Sequence, residues 1–211
     1  MAEHLLHQVG AMAPGHYGAE GTTGCRIHTA TLGAVWNVQG DPARTSVVTD
    51  VPRLFGITLP LVPNTAQRSD DDALLALWIG PRSWLLVDGI ASGRAAALVD
   101  FDAKRDALNV GGGALFDVSA SRVAFTIRGA HAIDVLAASC PLDFDARVFA
   151  PSACAQSMLG HSAALYYRHS ATPGFTVMVA RSVAADAWRS LCVAATAWGY
   201  ELGPTEAFDP S

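Results

Sequence analysis

The segment "FDVSASRVAFTIRGAHAIDVLAASCPLDF", residues 116–144, contains the clearest secondary-structure pattern of the chain. Within it, "SRVAFTIRG" alternates strictly between apolar side chains and small or charged ones. This period of two is typical of a strand that buries one face, and Gly129 ends the pattern. We therefore predict a half-buried strand whose inner face is formed by Val123, Phe125 and Ile127.

The residues after Gly129, "AHAIDVLAASC", change to the spacing of a short helix. Pro141 ends this helix, because proline has no N–H to continue the hydrogen-bonding pattern. The predicted buried face of the helix consists of Ile133, Leu136, Ala137 and Cys140.

The two halves of the chain repeat one order of elements. "WNVQGD" and "DVPRLFG" correspond to "FTIRGAHAIDVLAAS", and "ALWIGPRSWLLV" corresponds to "ALYYRHSATPGFTVMV". Each half therefore predicts a strand, a helix, a hairpin, a second helix and a last strand. The fold class that follows is α+β, with two ferredoxin-like β-α-β-β-α-β lobes and antiparallel sheets.

Turn and capping residues set the predicted bounds of the other elements. The first half is expected to contain a helix over 49–56, capped by Thr49 or Asp50 with Pro52 in its first turn, a hairpin of 74–79 and 84–87, a helix over 91–108 capped by Ser92, and a strand over 113–118. The second half is expected to end in a helix that Ser182 caps and Gly199 closes.

Composition changes along the chain suggest its boundaries. Residues 1–25 show no sustained periodicity and are expected to be a flexible arm, ordered only if another segment contacts it. We predict one α+β domain over 26–203, with lobes at about 26–118 and 119–203, and a tail over 204–211.

The chain is poor in charge for its length. Charged residues are 16% of its 211 residues and hydrophobic residues are 51%. Either part of the surface faces a partner subunit, or a high alanine content inflates the hydrophobic count. The net charge is −5 and Lys104 is the only lysine, so a nucleic-acid partner is not expected.

The longest stretch without Asp, Glu, Lys or Arg is Val148–Tyr167. It contains proline, glycine, histidine and several serines, which a bilayer-spanning segment of about 20 residues would not carry. A folded lobe can bury only one face of this run, so part of the run is instead expected to pack against a partner subunit or a second copy of the chain. The N-terminus lacks the pattern of a signal peptide, so we expect a cytoplasmic protein without a membrane partner.

Asp117 and Ser119 are the polar pair on which a catalytic interpretation depends. Both residues favour strand ends and turns, where their side chains bond nearby backbone N–H groups. The alternative is a carboxylate that acts as a base or binds an amine, but the segment offers no second paired carboxylate. Asp117, Ser119 and Arg122 are therefore candidates for a turn or for a folate-like site, and no catalytic residue is assigned.

The sequence shows no motif that would bind a cofactor or a metal. The four cysteines show no C-x-x-C spacing and are expected to be reduced core residues, so no metal site is predicted. The "GGGAL" at 111–115 precedes a strand, whereas a phosphate loop leads from a strand into a helix. No cofactor is expected to bind this chain itself.

Four segments together resemble the gamma subunit of heterotetrameric sarcosine oxidase. They are the opening 116–144 segment, "SACAQSMLGHSAALYYR", "GFTVMVARSVAADAWRSL" and "LWIGPRSWLLV". The resemblance extends from Trp36 to Trp198. The "FDVS" of 116–119 also resembles the start of the folate-binding aminomethyltransferase fold, although this chain is much shorter than such an enzyme.

The resemblance implies a noncatalytic chain that acts in the assembly of a flavoenzyme with alpha, beta and delta subunits. Such a complex demethylates N-methylglycine oxidatively, and its one-carbon unit passes to tetrahydrofolate. FAD, FMN, NAD and tetrahydrofolate would bind the partner subunits. Three alternatives stay open: the equivalent subunit of N-methylglutamate dehydrogenase, a stand-alone folate-dependent aminomethyltransferase, and self-association of the isolated chain.

Overall fold

The structure is a computed structural model that describes residues 12–21, 23–89, 100–169 and 174–209. The chain forms two compact units. The eight-stranded unit contains the described residues up to Thr31 together with Ser121–Pro151 and Gln156–Glu206. The five-stranded unit contains Leu32–Ala120, Ser152–Ala155 and the described residues from Ala207 onward.

The five-stranded unit has the strand order β4-β5-β6-β3-β7 with antiparallel neighbours. Apart from the added edge strand β4, this is the arrangement of a β-α-β-β-α-β unit, in which the first and last strands are neighbours. Its elements are β3 (Val35–Gln39), α1 (Val47–Phe55), β4 (Ala66–Arg68), β5 (Leu74–Gly80), β6 (Ser83–Asp88), α2 (Phe101–Val110) and β7 (Ala114–Asp117).

Helices α1 and α2 cover one face of this sheet. Trp84 is 1% exposed within the core, and its indole N–H donates to the carbonyl of Pro60 at 2.7 Å, which satisfies its one polar group. The cluster also contains Trp36, Val38, Val47, Val51, Ile57, Leu86, Leu108 and Leu115.

Helix α1 begins earlier than its sequence predicts. Ser46 occupies the N-cap position and its hydroxyl donates to the Asp50 carboxylate, so Thr49 and Asp50 are not the caps. Pro52 therefore lies inside the helix. Gly56 ends the helix as predicted, with φ 69° in the left-handed region that glycine adopts without strain.

The eight-stranded unit has the main strand order β1-β12-β2-β8-β11-β10-β9, and β13 also pairs with β2. Apart from an added edge strand over Cys154–Leu159, its second-half elements again follow the β-α-β-β-α-β order, so the predicted fold class is confirmed. The elements are β1 (Gly15–Tyr17), β2 (Cys25–Thr31), β8 (Arg122–Arg128), α3 (Ala132–Ala137), β9 (Cys154–Leu159), β10 (Ser162–Arg168), β11 (Phe175–Ala180), α4 (Ala184–Ala195), β12 (Tyr200–Leu202) and β13 (Glu206–Ala207).

Strand β2 lies between β8 and β12, the first and last strands of the second-half β-α-β-β-α-β arrangement. A simple ferredoxin-like sheet would pair these two strands directly. Strand β2 runs antiparallel to β8 and parallel to β12. The sequence "CRIHTAT" does not predict it, because five of its seven residues are buried and the inside–outside alternation is lost. The N-terminal segment therefore supplies a central strand to a sheet built mainly from the second half of the chain.

The charge-free run 148–167 buries most of its large apolar side chains within the chain. Phe149, Leu159 and Leu165 are buried, whereas Val148 and Met158 are exposed. The expectation that part of this run packs against a partner stays a prediction and concerns these two side chains. Phe149 instead joins an aromatic cluster in which Phe144 contacts Phe149, Tyr166 and Phe175 edge-on.

The helices of this unit bury slightly different faces from those predicted. In α3 the buried side chains are Ala132, Val135 and Leu136, whereas Ile133 is 38% exposed. A 3-10 turn over Arg181–Val183 precedes α4, so the helix starts after Ser182 rather than at it. The buried stripe of α4 contains Ala187, Trp188, Leu191, Cys192 and Ala195.

The described terminal residues make specific contacts. Tyr17 in β1 stacks on Tyr200 in β12 with ring centroids 5.6 Å apart, and Phe208 is 3% exposed. The first part of the predicted 91–108 helix, including Ser92, lies outside the described residues. Over the described ranges, no helix has both the length and the apolar character needed to cross a membrane.

A substitution at Gly129 tests how closely the ends of β2 and β8 approach each other. Its φ is 124°, and a Cβ there would lie 2.7 Å from the Gly24 carbonyl oxygen and 2.8 Å from the Cys25 Cα. We expect Gly129→Ala to lower the free energy of unfolding by more than about 2 kcal/mol, from backbone strain and a backbone clash together. Urea denaturation measures the change.

Gly21→Ala is the matched control. Gly21 also has a positive φ, 75°, but a Cβ added there would have no described atom within 4 Å beyond its chain neighbours. Only the strain of about 1 kcal/mol should appear there. Equal losses for the two variants would contradict the close approach of β2 and β8.

Candidate functional site

Asp117 and Ser119 contact each other in the turn that follows β7. The Ser119 N–H donates to Asp117 Oδ1 at 2.9 Å, and the Ser119 hydroxyl donates to the same carboxylate. The Val35 N–H in turn donates to Ser119 Oγ at 2.8 Å. These side chains therefore connect the turn to the first residue of β3, and a substrate-binding role for Asp117 stays a prediction.

Arg122, the third candidate from the sequence, is the first residue of β8 and lies opposite Ala180. It belongs to the eight-stranded unit, whereas Asp117 and Ser119 belong to the five-stranded one. Its buried Nε has no hydrogen-bond partner within the described part of the chain.

A charged cluster that the sequence did not predict surrounds Glu206. The Glu206 carboxylate lies 3.4 Å from the Arg26 guanidinium and 3.2 Å from His28 Nε2. Glu201 lies 3.9 Å from the same arginine. Because Arg26 faces Arg128 across the β2–β8 pair, the two glutamates offset a repulsion between like charges.

The cluster fastens residues 203–206 to β2. The Gly203 N–H donates to the Ile27 carbonyl at 3.0 Å, and the hydroxyls of Thr29 and Thr205 are 2.7 Å apart. His28 is 4% exposed, so its contact with Glu206 is largely shielded from water. We therefore interpret the cluster as a structural contact between distant parts of the sequence.

Burial lowers the pKa of His28 below its ordinary value of 6.5, because desolvation disfavours the imidazolium. Glu206 opposes this effect, whereas Arg128 and Arg26 add to it. The unfolded chain therefore binds a proton at this position at a higher pH than the folded chain does. The contribution of the neutral imidazole to stability is lost as pH falls below about 6.5.

We expect the free energy of unfolding to fall between about pH 7.5 and about pH 5.5, and the fall to be smaller in His28→Gln. Urea denaturation at each pH measures it. His161→Gln, at an exposed turn position, is the control and should keep the wild-type pH dependence. A pH dependence that is the same in all three proteins would exclude His28 as its source.

The four cysteines are free and buried, as predicted. Burial raises the pKa of Cys25 and Cys192 to about 11 and that of Cys154 to about 12. These thiols stay protonated at neutral pH, and a protonated thiol is a poor nucleophile. His131 does not activate a cysteine through its Nδ1, which lies 2.7 Å from an Asp134 carboxylate oxygen.

The five-stranded unit has a cleft at one end of its sheet. The cleft has a volume of about 370 Å³ and is open to solvent. Asp41 at its base lies 2.9 Å from the Arg82 guanidinium and 3.9 Å from that of Arg44. The lining residues are Gln39, Gly40, Asp41, Thr45, Arg82, Gly112, Gly113 and Ala114.

Two short loop segments of the sequence indicate this cleft, although neither was predicted to be part of a site. In a β-α-β-β-α-β unit the loop before the first helix and the turn of the hairpin lie at the same end of the sheet. "GDPAR" at 40–44 and "GPR" at 80–82 occupy those two positions.

As for metals, nowhere in the described ranges do three His, Cys, Asp or Glu side chains gather in a way that could bind an ion.

Comparison with solved structures shows which known fold this chain shares. No model of a known protein family matches the sequence, and no curated protein matches it. A chain of the heterotetrameric sarcosine oxidase from Corynebacterium sp. U-96, solved in complex with pyrrole 2-carboxylate, matches 86% of this chain and 89% of its own length. The TM-score is 0.72 and the sequence identity is 22%.

The glycine cleavage system aminomethyltransferase T from Bartonella henselae is a second structural neighbour. It covers 90% of this chain with a TM-score of 0.55 and 11% identity. The present chain spans about half of that enzyme, 49% of its length. The fold is therefore aminomethyltransferase-like, and the resemblance to a sarcosine oxidase chain is confirmed at the level of the fold.

Proposed function

We propose that this chain is the noncatalytic gamma-type subunit of a heterotetrameric, flavin-dependent sarcosine oxidase, and that it acts in assembly of the complex. The main support is the near end-to-end likeness to one chain of such an enzyme, since 86% of this chain matches 89% of the other.

The contacts of the reactive residue types support a noncatalytic role. Asp117 and Ser119 bond a turn, His28 and Glu206 join distant segments, and three of the four cysteine thiols stay protonated in the core. A general base must lie within hydrogen-bond reach of the proton that it takes from a substrate. We infer that FAD, FMN, NAD and tetrahydrofolate bind the alpha, beta and delta partner chains.

The same observations partly support two other functions. The equivalent subunit of N-methylglutamate dehydrogenase would differ in the amino acid that the partner chains bind. A stand-alone aminomethyltransferase is less favoured, because its structural match has a TM-score of 0.55, against 0.72 for the sarcosine oxidase chain.

Affinity purification of the tagged chain from its native host tests the proposal. We expect three flavoenzyme chains in equal amounts, and oxidation of N-methylglycine by the purified complex. Oxidation of N-methylglutamate instead would favour the dehydrogenase alternative. A chain that purifies alone, and transfers a one-carbon unit to tetrahydrofolate by itself, would contradict the proposal.

Asp117→Asn separates the two interpretations of the Asp117–Ser119 pair. We expect a loss of about 1 kcal/mol in the free energy of unfolding, because an amide accepts the bonds of Ser119 less strongly than a carboxylate. Turnover of the assembled complex should stay close to that of wild type. Urea denaturation and N-methylglycine oxidation measure the two quantities.

The control for this variant is Asp186→Asn, whose carboxylate is 72% exposed and pairs with Arg189 one helical turn away. It should change neither quantity measurably. A roughly thousandfold fall in turnover for Asp117→Asn, in a complex that still assembles, would indicate catalysis at Asp117.

A further inference from the structure

The cleft of the five-stranded unit carries a local excess of positive charge. Arg82 and Arg44 both pair with the single carboxylate of Asp41, so one of the two positive charges is unbalanced. The nearby Asp50 does not offset it, because it pairs with Arg53 at 2.9 Å. This excess occurs on a chain whose net charge is −5.

The two arginines can turn toward a ligand. The side chains of Arg82 and Arg44 are 69% and 83% exposed, and Asp41 is the only carboxylate that either contacts among the ion pairs of the described residues. A carboxylate is the group that a guanidinium binds with two parallel hydrogen bonds. A second carboxylate placed in the cleft would complete a group of two arginines and two acids.

Two exposed apolar side chains lie beside the cleft. Phe116 is 50% exposed, and because side chains alternate along β7 it lies on the same face as Ala114, which lines the cleft. Val110 is 92% exposed and lies two residues before the lining residue Gly112. An apolar margin of this kind is larger than a small carboxylic acid needs.

We propose that this cleft forms a docking surface for an acidic segment of a partner protein. An Asp or Glu of that segment binds Arg82 and Arg44, and a neighbouring apolar side chain packs on Phe116. The identity of the partner as a flavoenzyme subunit rests on the proposed function. The surface itself follows from the charges and the exposed side chains of this chain.

The test uses the co-purified complex with the double variant Arg82→Glu and Arg44→Glu. We expect the affinity for the partner chains to fall about tenfold or more and to lose most of its salt dependence. Arg189→Glu, on an arginine that is 72% exposed and pairs with one aspartate, is the matched control and should bind normally. A urea midpoint close to wild type shows that the double variant is folded.

A photo-crosslinking residue at position 116 identifies the partner segment, with position 193 as a control because Val193 is 69% exposed in α4. The segment crosslinked at 116 should contain Asp or Glu. Replacing that acid with Lys should weaken binding to the wild-type chain and restore binding to Arg82→Glu. The restoration excludes a general loss of fold as the cause.

Several results would overturn the docking surface. They are normal binding by the double variant, a crosslinked segment without an acid, a crosslink to a second copy of this chain, or binding of free succinate at Arg82 without any crosslink at 116. If the four-chain complex forms and the double variant still binds normally, only this inference fails. If no flavoenzyme chain co-purifies, the proposed function fails instead.

Discussion

The insertion of β2 between β8 and β12 is the constraint on which the eight-stranded unit depends. β12 is only three residues long, and β2 pairs with it along its whole length. The same strand accepts the C-terminal segment through Glu206 and the ladder with β13. A strand with partners on both edges leaves few backbone groups unsatisfied, so it can be buried with His28 and Thr29 in its sequence.

Several polar side chains of the chain make contacts between distant parts of the sequence. His28 and Glu206 are 178 residues apart in sequence and 3.2 Å apart in space, and Ser119 reaches the backbone of Val35. Substituting these residues therefore tests stability before it tests catalysis.

The sequence predicted the parts of the fold in which a local pattern marks the element. Strand β8 was predicted from its alternation, and the hairpin of β5 and β6 follows from Gly80 and Pro81. The half-buried interpretation of β8 is wrong, because Ala124 and Thr126 on its second face are buried as well. Strand β2 could not be found in this way, because its polar His28 and Thr29 are buried together with its apolar residues. The Glu206 cluster was missed for a related reason: the residues that form it come together only after β2 is inserted.

Native-state amide hydrogen exchange measures most directly whether β2 is this central strand. Amides that lie in the middle of a stable sheet exchange only through global unfolding, whereas edge strands also exchange through local opening. The account predicts that the amides of β2 paired with β8 are among the slowest in the chain and share the free energy of global unfolding, while β1 exchanges faster. Exchange of β2 at the rate of β1 would contradict it.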